Sequence, residues 1–103
     1  MHDYYEVFIS AETQEQADNI LNSLLEKKLA TGGQFLNSPA RFLWKGKIEE
    51  MDYITITSFT TSVQKDALIQ DIESTSAEEF PMIRLVPIEV NPKLAKWIDR
   101  TLE

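Results

Sequence analysis

The sequence predicts an α+β protein on the split-βαβ plan, and three observations carry that prediction. Hydrophobic spacing alternates between periods of two and about 3.6 in the order βαββαβ, followed by a C-terminal helix. Pro39 and Pro87 interrupt only the second and fourth strand-like segments, the two that this plan puts at the sheet edges. Lys45-Gly46 supplies a turn between the second and third strands, so these read as a hairpin.

Each element has its own signal. In DYYEVFISA, Tyr5, Val7 and Ile9 alternate against Tyr4, Glu6, Phe8 and Ser10, as in a strand. In TQEQADNILNSLLEKKLA, Thr13 and Gln16 can form a capping box, and Ala17, Ile20, Leu21, Leu24 and Leu25 fall on one helical stripe. Lys27 and Lys28 suit the negative end of that helix, and Gly32-Gly33 is expected to stop it. Phe35 to Leu43 is extended, with an edge or bulge at Pro39, and a strand is expected from Tyr53 onward in YITITSFT. Ser62 can cap a second helix with Val63, Ala67, Leu68 and Ile72 on its apolar face. MIRLVPIE reads as the last strand, and Asn91-Pro92 opens a helix carrying Leu94, Ala95, Trp97, Ile98 and Leu102. The ferredoxin-like arrangement follows, with the first and third strands central.

Composition bounds the function. A chain of 103 residues, 43% hydrophobic, supplies one core, so residues 1–103 are expected to form one domain. Seventeen acidic against ten basic residues give a net charge of -7, which opposes binding to nucleic acid or anionic lipid. No apolar run is long enough to span a bilayer, and MHDYYEVF lacks the pattern of a secretory leader. With no cysteine there is neither a disulfide nor a thiolate metal site, which suits a cytoplasmic setting.

No complete catalytic constellation is present. His2 is the only histidine and lies beside the first methionine, where a terminal residue is the plain reading. Glu49-Glu50, Asp52 and Glu78-Glu79 offer oxygen ligands for a hard divalent cation, but neighbouring residues of a strand point to opposite faces, and solvated acids are the commoner case. Gly32-Gly33 matches no phosphate-binding loop. Arg41 and Arg84 could pair with an anion or simply protect sheet edges. Trp44, at a hairpin turn with Phe42, Leu43 and Tyr53 nearby, calls for cover from the core or from a second chain.

The stretch WKGKIEE, Trp44 to Glu50, with FISAETQEQADNILNSLLEKKLA before it and FPMIRLVPIEVNPKLAKWID after it, resembles the CutA divalent-cation tolerance proteins. The resemblance implies a ferredoxin-like protomer in a homotrimer, its long hairpin crossing an interface. It also implies a non-enzymatic role in tolerance of copper or other divalent metal ions. Carried over by position, Trp44, Lys47, Glu49, Glu50 and Glu79 are candidate members of an intersubunit cleft. Gly32 stands where the family commonly has cysteine, Ser76 and Glu78 where it has histidine and tyrosine, and Phe59 where it has lysine. Copper favours sulfur and imidazole, so these replacements weaken a copper site most. A second reading is a PII-like trimeric sensor taking a small anion or nucleotide at the subunit interface through Lys47, Arg41 and Arg84. A third is a small acyl-phosphate hydrolase using an arginine and Asn37.

Overall fold

The computed structural model describes residues 3–103; His2 lies outside them. The element order is β1 (Tyr4–Ala11), α1 (Gln14–Glu26), β2 (Gln34–Trp44), β3 (Lys47–Thr61), α2 (Lys65–Thr75), β4 (Ile83–Ile88) and α3 (Pro92–Thr101). The strands form one antiparallel sheet in the order β2-β3-β1-β4. Both edge positions go to the strands that carry Pro39 and Pro87, where a missing N–H donor costs least.

The pleat sorts the sheet into two faces. Val7, Ile9 and Ala11 of β1 and Ile54 and Ile56 of β3 point to the helices and are buried with Ile20 and Leu24 of α1 and Leu68 and Ile72 of α2. Gly33 enters β2 where the chain runs closest to this core. A β-carbon there would sit 2.9 Å from the Thr57 carbonyl oxygen and 3.1 Å from Leu21 Cδ2. Across the top of the helical layer, the half-exposed Lys27 reaches the buried Asp71 carboxylate, which also accepts the Ser23 hydroxyl at 2.8 Å. This network ties α1 to α2. The helix α3 is held by the Tyr4 hydroxyl donating to Asp99 at 2.9 Å and by Gln64 Nε2 donating to the Leu102 carbonyl at 3.3 Å.

Several local expectations are corrected. The Thr13 hydroxyl accepts the Gln16 N–H at 3.1 Å, so half of the capping box forms, while Gln16 Oε1 is buried without a partner. Helix α1 ends at Glu26, well before Gly32-Gly33. The stop is a Schellman motif: the Lys28 N–H bonds the Leu25 carbonyl, the Leu29 N–H bonds the Leu24 carbonyl, and Lys28 takes φ 54°. Lys27 and Lys28 thus lie beyond the last turn, where they serve tertiary contacts. Leu25 is on the margin of the stripe and stays exposed. Helix α2 begins only at Lys65, because the Thr61 hydroxyl captures the Val63 N–H and a turn intervenes; Ser62 is no cap, and Val63 and Ala67 face outward. Asn91 precedes α3 without a side-chain capping bond, and Pro92 takes the first-turn position.

The largest correction concerns β3. It starts at Lys47, not Tyr53, because Lys45 (φ 50°) and Gly46 (φ 80°) close a two-residue hairpin of the type I′ kind and the ladder runs without a bulge from Trp44↔Lys47 to Gln34↔Thr57. The charged stretch at Lys47–Asp52 is therefore strand, not loop.

Gly33→Ala should lower unfolding free energy by about 1–3 kcal/mol in urea melts, since the added carbon must push Thr57 and Leu21 apart. Lys28→Gly should do the reverse by roughly 0.5–1 kcal/mol, because it relieves a left-handed backbone at a position whose side chain makes only an exposed bond to the Glu103 carbonyl.

Candidate functional site

The strand β1 ends at Ala11, opposite Ile54 of β3. Beyond that pair β3 has only β2 for a neighbour, so the two continue as a two-stranded arm to the Lys45-Gly46 turn. The loop between α2 and β4 runs back beneath one face of this arm. Its anchor is Ser10: the backbone N–H of Ser10 donates to the Met82 carbonyl at 3.0 Å, the Met82 N–H donates to the Ser10 hydroxyl oxygen at 2.9 Å, and that hydroxyl donates to Glu78 at 2.8 Å. The Ser76 hydroxyl oxygen accepts the Glu78 N–H at 3.1 Å and sets the bend of the loop.

Between arm and loop lies a cleft of about 560 Å³. Two edge-on aromatic pairs wall it: Phe42 on Tyr53, with centroids 5.3 Å apart, and Trp44 on Phe80 at 5.9 Å. Carboxylates from three places surround it, Glu12 after β1, Glu49 and Glu50 on the arm, and Glu78 and Glu79 on the loop. Neither lysine nor arginine is among its lining side chains. The charge distribution shows in Tyr53, whose hydroxyl is pushed up to about 12 by burial first, then by its hydrogen bond to Glu78 and the negative charges of Glu78 and Glu12.

Of the five residues singled out in the sequence, Trp44, Glu49, Glu50 and Glu79 come together here and Lys47 does not line the cleft. Lys47 shares the face of Trp44 in the register but sits at the tip of the arm. Glu50 is shared with the opposite side, where Arg41 binds its carboxylate at 2.6 Å. Trp44 is partly covered by Phe80 from its own chain and carries the Lys45 ammonium 5.4 Å from its ring. Sequence reasoning missed Ser10, Glu12 and Met82 as site residues, and treated Glu78 as a possible oxygen ligand and a replaced position, not as the partner of Ser10. The available signal was the β1 alternation, which puts Ser10 on the face away from the helices, where the loop must pass.

The donors do not fit a resident metal within one chain. Among the described residues, no three His, Cys, Asp or Glu side chains gather as a metal ion requires. Glu50 is taken by Arg41, and Glu78 by Ser10 and Tyr53. Gly32, where the resemblance expects cysteine, has φ 145°, a backbone that side-chain-bearing residues rarely adopt. No helix among the described residues is long and apolar enough to cross a membrane.

A four-stranded antiparallel sheet in the order β2-β3-β1-β4, with the helices of both crossovers packed on one face and a long hairpin arm, defines a ferredoxin-like α+β protein. Residues 5–101 match the family described as CutA1 divalent ion tolerance protein. The divalent-cation tolerance protein CutA of Archaeoglobus fulgidus is 32% identical over 104 residues, covering the whole of both chains. Its structure, described as that of the periplasmic divalent cation tolerance protein CutA, superposes with a TM-score of 0.92 at 30% identity over 97% of this chain and 99% of its own. The Ehrlichia chaffeensis divalent ion tolerance protein CutA1 has the same fold, with a TM-score of 0.93 at 22% identity over 100% of this chain and 98% of its own. The chain belongs to the CutA1 divalent ion tolerance family.

A Tyr53 pKa above its unfolded value of 10.0 stabilises the fold fully below pH 10, and that contribution is lost as pH rises through about 12. Tyr53→Phe should therefore flatten the dependence of Tm on pH between 10 and 12, and should remove the phenolate absorbance step near pH 12.

Proposed function

We propose that this CutA1-family protein acts as a cytoplasmic homotrimer with a non-catalytic binding or regulatory role in the response to divalent cations, copper among them. One observation carries the assembly: the arm beyond Ile54 has no third strand, yet it exposes Leu43 (80%) and Ile48 (67%), a cross-strand pair on one face. A two-stranded hairpin is marginal in water, and an apolar pair at its end calls for a neighbour. The open edge of β2, eleven residues long, can supply the pairing that joins one copy to the next. Membership of the tolerance family supports the cation part of the reading.

A non-catalytic role accords with the donor set: no histidine or cysteine is among the described residues that line the cleft, and the Glu78 carboxylate that meets the Ser10 and Tyr53 hydroxyls is used to hold the loop. The anion or nucleotide reading is disfavoured by the same cleft, whose charged lining is wholly acidic. For the compartment, the absence of cysteine favours a reducing setting, whereas the A. fulgidus relative is described as periplasmic. Cell fractionation with an antibody to the chain separates the two.

Native mass spectrometry of the untagged protein should give a trimer at micromolar concentration, and Leu43→Asp with Ile48→Asp should give monomer without loss of the far-ultraviolet dichroism of the body. Only monomer from the parent chain would overturn the assembly. Retention of copper(II) over magnesium by that trimer would support the tie to copper, and a bare trimer would remove it.

A further inference from the structure

We propose that the cleft between the hairpin arm and the α2–β4 loop is a binding site for a small organic cation, a molecule bearing an alkylammonium or guanidinium group on an apolar body. This inference stands apart from the metal reading and rests on what the cleft offers a guest. Its charged side chains are all carboxylates, so a cation is favoured, but among the described residues no three of them gather as a metal ion requires, and the rings of Phe42, Trp44 and Phe80 offer it no ligand. A bare divalent ion keeps its hydration more readily than it accepts such walls. An organic cation is weakly hydrated, fills space, and gains from both components: ring faces attract it through their quadrupoles, and nearby carboxylates neutralise it.

The parts are arranged for that combination. The Phe42–Tyr53 and Trp44–Phe80 pairs lie along the wall of the arm, one near its root and one near its tip. Glu12, just after β1, and Glu79, on the loop, reach the cleft, both exposed and neither in an ion pair among the described residues. The volume of about 560 Å³ suits a guest of metabolite size. The Trp44 ring already accepts an ammonium, that of Lys45 at 5.4 Å, from outside the cleft. Tyr53 remains a neutral hydroxyl far above physiological pH, so the inner wall carries no charge of its own.

The test uses the native assembly carrying Trp97→Phe, which leaves Trp44 as the single tryptophan, with benzyltrimethylammonium as the probe and benzyl alcohol as its neutral counterpart. A saturable change in Trp44 fluorescence is expected, about tenfold tighter for the cation than for the alcohol. Glu79→Gln and Glu12→Gln should each weaken the cation by about two- to fivefold and leave the alcohol unchanged. Isothermal titration of the parent protein should give the same affinity, which guards against an effect of the Trp97 change. No saturable signal at millimolar probe would overturn the proposal, including the case in which a second copy fills the cleft. Equal affinity for cation and alcohol, or no response to either glutamate change, would overturn it too. Since the readout is neither metal retention nor subunit number, its failure leaves the trimer and copper results to stand or fall separately.

Discussion

The difference in length between two hydrogen-bonded neighbours governs this molecule. The eight residues of β1 lie against fifteen of β3, and their ladder closes at Ala11↔Ile54. On one side of that pair β3 is a central strand with its Ile56 side chain wholly buried; on the other it is half of an arm that no helix covers. Ser10 is the last residue but one of β1 and Glu12 follows its end, so the end of β1 defines the root of the arm, the anchor of the α2–β4 loop and the inner end of the cleft. A longer β1 would pair with the arm and close the space in which these groups meet.

That arrangement keeps stability and recognition in different parts of the chain. The core of Ile9, Ile20, Leu24, Ile56, Leu68 and Ile72 lies wholly on the helical side of the sheet. The cleft lies on the opposite face of β3 and its continuation, reached by side chains that alternate with the core ones. Carboxylates can therefore accumulate in the cleft without entering the packed interior, where an unpaired charge would be costly. The one buried acid of the helical layer, Asp71, is by contrast met by Lys27 and Ser23.

Much of this was legible in the residues. Period-two and period-3.6 patterns placed all seven elements, and Pro39 and Pro87 identified the edges, since a missing donor has the same consequence in any sheet. Boundaries set by competition among hydrogen bonds were not legible. Lys28 rather than a glycine terminates α1, and the Thr61 hydroxyl delays α2; both depend on partners brought in by the tertiary fold. The start of β3 was hidden because KIEEMD carries no apolar alternation: an arm that no helix covers has no core-facing side to mark. Of the site, Trp44 and the acids of the arm stood out by type, whereas Ser10 looked like any polar residue of a strand. Its role depends on a loop more than sixty residues away, at a distance that no local pattern reports.

The tight turn at Lys45-Gly46 has a consequence for the order in which the chain assembles. Pairing across it needs almost no loop closure, so β2 and β3 can zip from the tip on the microsecond scale of isolated hairpins, whereas β1 must wait for contacts such as Tyr4↔Thr61 and Tyr4↔Ile88 that span most of the chain. The arm is thus the most local structure in the protein and the least protected while the rest is still collapsing. Lys45, Lys47, Glu49 and Glu50 fall at that end, and charges at the tip of a nascent ribbon discourage other unfinished chains from adding to its open edge.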